Sequence, residues 1–429
     1  MRLAGADIPA VPVKRPEILA PAGDFVCLQA ALDAGCDAVY FGLGSFNMRA
    51  GSGVNFAVGD LPEISSRCRA KGVKAYLALN AIMFEGEADG IEGIIVAAKP
   101  HVDAFIVSDW GVISLCRKHG AAFHVSTQMS TSNSAAVAFL ASQGASRVVL
   151  ARECTLGEVK RIAAKSPIEI EAFVHGAQCV AESGRCLMSH EAFGKSACRG
   201  ECRQPCRRRF LVKAVDLYED GLGNPVHESD TAFIVEPHTI LSAKDLCSLG
   251  FVDRLMDAGI ASFKIEGRAR NAEYVMTCVR AYRRAVDAVS DGSYSPALVE
   301  ELTREVEKVF HREFSKGLFY GRPGGEQLAD SEDSLATTVK RHVGIVIDYF
   351  LKAGIVQVKI QDHSIRPGDT LQIHGKTTGV VELVLGEIRR DGETPESGEK
   401  GTWVTFAAPR CRVGDKVFFI ETKNKTAEA

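Results

Sequence analysis

Cys179, Cys186, Cys202 and Cys206 fall within 28 residues, in the stretch C-VAESGR-C-LMSHEAFGKSACRGE-C-RQP-C, with Cys198 between them. Five of the thirteen cysteines therefore crowd into a small part of a 429-residue chain. Four thiolates meeting at one point bind an iron–sulfur cluster or a structural zinc, because soft sulfur suits both. Disulfides are the competing use. The chain shows no secretory leader and its other cysteines are scattered singly, as expected in a reducing cytosol. The spacing also lacks the C-x2-C knuckles typical of zinc. An iron–sulfur cluster is the expectation, with no metal and zinc as the alternatives. Cys247 is the substitute fourth ligand should Cys206 not serve, and Cys198 is left as a bystander.

A second set of chemistry-bearing residues ends the apolar runs of the first 270 residues: Gln128, Arg152, Glu153, Glu171, His175, Lys264, Glu266 and Arg268. Charge on a strand is costly unless it is paired or at an open end. Structural pairing, such as Lys264 with Glu171, therefore competes with catalysis at each position. His175, Glu171, Lys264 and Glu266 are the candidate catalytic groups, His175 as a general acid or base. Arg152 and Arg268 are candidates for substrate carboxylates, together with Gln128. The glycine-rich loop Gly42–Gly51 adds Asn47 and Arg49; no helix-opening phosphate motif follows it.

Between Arg185 and Arg209 seven basic residues face two acidic ones, a local balance of +5 on a chain of net charge -3. Arg199, Arg203, Arg207 and Arg208 are the candidate nucleic-acid contacts in this patch. The same guanidinium geometry fits a dicarboxylate, and some of these arginines could instead offset a thiolate cluster. Proteolysis is the competing activity. His190-Glu191 lacks the second histidine of H-E-x-x-H, no G-x-S-x-G occurs, and a cysteine held by metal cannot attack a carbonyl.

Several of these stretches resemble one family. Glu171-Ala-Phe-Val-His-Gly-Ala-Gln-Cys179, Ser183-Gly-Arg-Cys-Leu-Met-Ser189, Arg199-Gly-Glu-Cys-Arg-Gln-Pro-Cys206, Lys264-Ile-Glu-Gly-Arg268 and Glu17-Ile-Leu-Ala-Pro-Ala-Gly23 look like the signature of the collagenase-like peptidase family U-32. The resemblance covers roughly residues 15 to 325. It implies an oxygen-sensitive 4Fe–4S cluster and hydroxylation of an RNA base, as in tRNA 5-hydroxyuridine synthesis, with prephenate as oxygen source. Ribosomal RNA and a ubiquinone precursor are the other substrates it implies. Peptidase activity on collagen-like or denatured protein is the older label. RNA, above all tRNA, and a small carboxylate are the implied partners, with no membrane.

Elements must carry these groups to one place. Short β-branched runs alternate with amphipathic segments that end in glycine, the rhythm of βα units. Eight strands are expected: Ile18–Ala20, Ala38–Gly42, Lys74–Asn80, Ala104–Ser108, Phe123–Gln128, Arg147–Arg152, Ile168–Val174 and Ser262–Glu266. Helices are expected at Phe25–Ala34, Ala135–Gln143, Leu156–Ala164 and Glu273–Val289, and a short one at Leu241–Leu246. The expected fold is α/β, a (β/α)8 TIM-like barrel whose strand ends hold the site. A doubly wound sheet is the rival, but no nucleotide-type glycine fingerprint follows the first strand.

The expected domains are an extension at 1–14, the barrel at 15–325 with a cysteine-rich loop at 176–210, and a linker at 326–338. After it, alternation of period two from 339 to 422 predicts a small all-β barrel, followed by a disordered tail at 423–429. No run of eighteen apolar residues occurs, so the chain is expected to be soluble and cytoplasmic.

Overall fold

The computed structural model describes residues 15–51, 55–210, 212–213, 232–233, 240–321, 327–331 and 333–423. The expected extension at 1–14, most of the tail at 423–429, residues 326 and 332 of the linker and much of 207–242 lie outside them.

Seven parallel strands come first: β1 Glu17–Pro21, β2 Ala38–Phe41, β3 Lys74–Leu79, β4 Ala104–Val107, β5 Phe123–Val125, β6 Arg147–Val149 and β7 Glu169–Gly176. Two short strands, β8 Val212–Lys213 and β9 Ala232–Phe233, pair with each other. They are followed by β10 Asp245–Cys247, β11 Ser262–Ile265 and β12 Phe314–Ser315. β11 pairs in parallel with both β1 and β7, which closes β1–β7 and β11 into an eight-stranded barrel. The fold is the expected TIM-like α/β barrel.

The helices are α1 Phe25–Asp33, α2 Leu61–Ala70, α3 Ala88–Ala98, α4 Trp110–Lys118, α5 Ser134–Ser142, α6 Leu156–Ala163, α7 Met188–Phe193, α8 Val252–Asp257, α9 Ala272–Asp291 and α10 Pro296–Glu307. Their ends obey local chemistry. Asp24, Asp109, Asn133 and Ser295 each accept a backbone N–H at the start of a helix. Thr155 and Glu158 form a reciprocal capping box on α6. The helix expected at Leu241–Leu246 is absent. Asp245–Cys247 is instead extended and antiparallel to the end of β7, with Leu246 opposite Gly176 and Cys247 opposite His175.

The helices bury their apolar faces against the outer face of the barrel. Its interior is apolar in part, with Leu19, Ala38, Tyr40, Tyr76, Ala104 and Ile106 packed together. At the N-terminal ends of the strands it is ionic. Arg147 donates to Glu17 at 2.5 Å, Glu169 at 2.6 Å and Glu171 at 3.1 Å, and Lys264 reaches Glu171 from above at 2.9 Å. Each buried charge has a partner of opposite sign, which is the condition for tolerating it there.

The C-terminal part is a six-stranded antiparallel sheet: β13 Thr338–Phe350, β14 Ile355–Ile360, β15 Thr370–Gly375, β16 Gly379–Val384, β17 Trp403–Ala407 and β18 Lys416–Thr422, in the order β16-β15-β18-β13-β14-β17. It encloses its own core, in which Val343, Val358, Ile373, Val404 and Val417 are buried. The sheet docks on the flank of the barrel through Lys340 to Glu273 at 2.6 Å and Arg67 to the Lys376 carbonyl at 2.5 Å.

Candidate active site at the barrel mouth

The C-terminal ends of the strands surround a cavity of about 70 Å³. Arg49, Gln128, Arg152, Lys264, Glu266 and Arg268 line it, with Tyr40, Asn80, Ser126, Phe173, Ser183 and Cys179. Six of the residues expected from the sequence to bind substrate or catalyse are therefore brought together, and the first cysteine of the loop joins them.

Four cations face one carboxylate in this space. Glu266 accepts from Arg49 Nη2 at 2.6 Å. Burial pushes its carboxyl up, but Arg49, Arg152 and Arg268 outweigh burial and hold it down at about 2. Arg268 donates Nη1 to Asn47 Oδ1 at 3.0 Å, and burial draws its guanidinium down to about 10. Arg152 donates to the Ala177 carbonyl at 2.7 Å and lies 4.1 Å from the centre of the Phe173 ring, with its buried Nε unpartnered. Lys264 Nζ sits 4.5 Å from the centre of the Tyr40 ring. The excess positive charge suits an anion, and planar guanidinium groups suit a carboxylate.

A neutral rim completes the cavity. Asn80 Nδ2 donates to Ser126 Oγ and Gln128 Oε1, both at 3.1 Å. Asn80 and Ser126 were not singled out in the sequence, although each follows a strand as Gln128 does. Their position alone was the available signal.

Four residues singled out in the sequence lie elsewhere. Glu171 lies one layer below the cavity, buried between Lys264 and Arg147; burial raises its carboxyl, and Lys264, Arg147 and His124 bring it down to about 2. It holds the floor. His175 points out of the barrel against the rings of Tyr274, Tyr282 and Phe314, because the register of β7 shifts opposite Lys264 and Ile265. Burial, then His311 and Arg270, push its imidazole down to about 3. It is a neutral packing residue, not an acid or base of the cavity. Asn47 is fully buried behind the cavity, where it orients Arg268 and accepts from the Arg49 backbone N–H at 3.0 Å. Gly42 makes room for this arrangement: a Cβ there would come within 2.5 Å of Arg268 Nη1. Glu153 is exposed and is not part of the lining.

The cysteine loop leaves β7 at Gly176 and folds over the mouth. It is pinned by the glycine-rich loop, with Gly51 N–H donating to the Gly200 carbonyl at 3.0 Å, and by Arg207, which donates to Ser242 Oγ at 3.1 Å and to the carbonyls of Ala243 and Gln178. Arg199 is committed too, to Glu87 and the Ile82 carbonyl. Arg199 and Arg207 are thus structural clamps rather than free phosphate contacts. Arg203 and Arg208 are exposed.

The Cys206 thiol is pushed up by burial, and the charges of Cys179, Cys202 and Cys186 act in the same direction against Arg207. The four cysteines therefore share one electrostatic neighbourhood. Cys247 is influenced instead by burial, Leu249, Tyr282 and Glu307. Among the described residues no three His, Cys, Asp or Glu side chains stand at ligand spacing. Four soft thiols on one loop are the donor chemistry of an iron–sulfur cluster or of zinc. Of the other cysteines, Cys198 is half-buried, and Cys27, Cys36, Cys68, Cys116, Cys154, Cys278 and Cys411 are buried and behave as small apolar groups.

A parallel barrel with a cationic mouth under a cysteine-rich loop defines the class of protein. The model of Peptidase family U32 matches residues 23–329, and the chain belongs to that family. It is 37% identical over 422 residues to the "Collagenase" of Porphyromonas gingivalis (strain ATCC BAA-308 / W83), covering 95% of this chain and 99% of that one. It is 34% identical over 384 residues to the "tRNA hydroxylation protein P1" of Bacillus subtilis (strain 168), covering 87% and 88% of the two chains. A 23S rRNA 5-hydroxycytidine synthase of Escherichia coli (strain K12) is 32% identical over 347 residues, 76% of this chain and 50% of that one.

Proposed function

We propose that this chain is an iron–sulfur enzyme that hydroxylates an RNA base, a tRNA uridine, with prephenate as oxygen donor. The observation that carries the reading is that Cys179 lines the same cavity as Arg49, Arg152, Lys264 and Arg268. Cys179, Cys186, Cys202 and Cys206 would hold a 4Fe–4S cluster, which supplies one-electron chemistry when bound.

The chain's own groups bind and orient. Arg152 and Arg268 take a carboxylate, for which about 70 Å³ is room enough, and the rest of the ligand reaches out past the rim at Ser183. Glu266 stays ionised and aims Arg49. Lys264, shared with Glu171, fixes the positive floor. Tyr40 and Phe173 offer apolar faces beside the cations. Arg203 and Arg208, exposed on the loop, meet RNA phosphates, and the C-terminal sheet helps to hold the RNA. On this reading the protein acts in the cytoplasm.

The tRNA hydroxylation name of a relative covering most of both chains supports this reading; the ribosomal one favours rRNA as the second choice. The name "Collagenase" speaks for proteolysis. Against it, no imidazole lines the cavity among the described residues, so a hydroxyl or thiol there has no histidine to activate it.

The test is nucleoside analysis of tRNA and rRNA from a deletion strain complemented with wild type or Arg268→Gln. Loss of a hydroxylated nucleoside on deletion, rescue by wild type and rescue reduced about tenfold or more by Arg268→Gln are expected, the scale of one charge-assisted hydrogen bond. An unchanged nucleoside profile contradicts the proposal.

A further inference from the structure

Two phenyl rings stand in water where the cysteine loop meets the barrel. Phe84, in the loop between β3 and α3, has 59% of its surface exposed, and Phe193, at the end of α7 in the cysteine loop, has 39%. Each carries a guanidinium over one face: the Arg199 carbon lies 4.3 Å from the centre of the Phe84 ring, and that of Arg208 4.9 Å from the centre of Phe193. A cation over one face is favourable in itself and leaves the other face to a second planar group.

The Phe84 ring is held in place. Arg199 donates Nη1 to Glu87 Oε2 at 2.7 Å and to the Ile82 carbonyl. The same Glu87 oxygen accepts the Phe84 backbone N–H at 2.8 Å, so one carboxylate fixes both the ring's backbone and the cation over the ring. Ile82 N–H reaches the Cys198 carbonyl at 3.5 Å. The loop that carries Phe84 is therefore fastened to the loop that carries Phe193.

Charge divides this surface. Arg203 and Arg208 are exposed on the cysteine loop, within the stretch whose local balance is +5. Beside the rings, by contrast, Glu85 and Glu191 are exposed acids, which disfavour a phosphate over either ring. A chain with charged phosphates and uncharged planar bases fits both halves, phosphates along the arginines and bases on the rings. In a duplex the base faces are already covered by their neighbours, so only unpaired bases can use such rings.

Resting on the RNA reading above, we infer that Phe84 and Phe193 are stacking platforms for unpaired bases, and that the protein takes its RNA as a single-stranded or loop segment. An apolar polypeptide is the rival occupant of the same rings.

The experiment measures fluorescence anisotropy of a labelled single-stranded RNA, a labelled duplex of the same length and labelled gelatin over a salt series. The proteins are the anaerobically purified full chain, Phe84→Leu, Phe193→Leu and Phe84→Trp, with circular dichroism to confirm folding. The wild type should prefer the single strand. Each leucine variant should bind it about tenfold more weakly, the scale of one lost base stack, with an unchanged salt slope because no phosphate contact is removed. Phe84→Trp should retain wild-type affinity, and duplex binding should not change in any variant. Unchanged single-strand affinity in both leucine variants, or equal wild-type affinity for strand and duplex, overturns the inference and leaves the RNA reading standing. Loss of gelatin binding with RNA binding intact also overturns it, in favour of a polypeptide. A wild type that binds neither RNA overturns both.

Discussion

Lys264 has the Glu171 carboxylate on one side and the cavity on the other, so it both caps the buried ionic network and charges the site. The pairing was foreseeable from two opposite charges on strands of one closed barrel. What was not foreseeable is which partner remains free. Glu171→Gln leaves Arg147 and Lys264 with one carboxylate fewer between them, and about 3 kcal/mol of stability should be lost in denaturant unfolding. A loss below about 1 kcal/mol would mean that the network is dispensable. His175 gives a pH signature. Its folded value near 3 lies below the ordinary unfolded value of about 6.5, so the unfolded chain binds the extra proton between them. Stability is therefore full above about 6.5 and is lost as pH falls toward 3. In His175→Gln that acid limb should be shallower across the same window, measured by denaturant midpoints from pH 7 to pH 4. The outward direction of His175 was hidden in the sequence because it depends on a register shift against β11, not on the residue itself.

The eight barrel strands were legible because a parallel strand covered on both faces reads as a continuous β-branched run bounded by turns. The short strand β10 was not. Leu241–Leu246 was expected as a capped helix, but Asp245–Cys247 is extended because the edge of β7 pairs with it, a partner supplied only by the fold. The cysteine loop was legible in composition but not in its fastening. Its docking depends on Gly200, whose φ of +84° favours glycine and whose position leaves no space for a Cβ beside the Asn47 carbonyl. Gly200→Ala should keep the barrel's circular dichroism and raise the protease sensitivity of the loop. Unchanged cleavage kinetics would show that Arg207 and the remaining contacts suffice to hold it.

The molecule as a whole carries a net charge of -3, so attraction for a polyanion must be local, and the structure narrows where. Arg199 and Arg207 are tied internally, whereas Arg203 and Arg208 are exposed. A residue count over the loop could not make that division, because a committed arginine and a solvated one look identical in sequence. Among the described residues no helix is long and apolar enough to cross a membrane. The C-terminal sheet is held on the flank of the barrel at α1, α2 and α9 through Gly379, Arg67 and Lys340, which leaves the mouth to the cysteine loop. The proposed function requires this loop to hold a redox cluster over the cavity. Its most direct test is anaerobic purification followed by iron and sulfide quantitation and a visible spectrum. About four irons and four sulfides per chain, with a broad visible absorption that disappears in Cys186→Ser while the barrel stays folded, is the predicted result. Stoichiometric zinc, or a metal-free protein that cleaves denatured collagen, would contradict it.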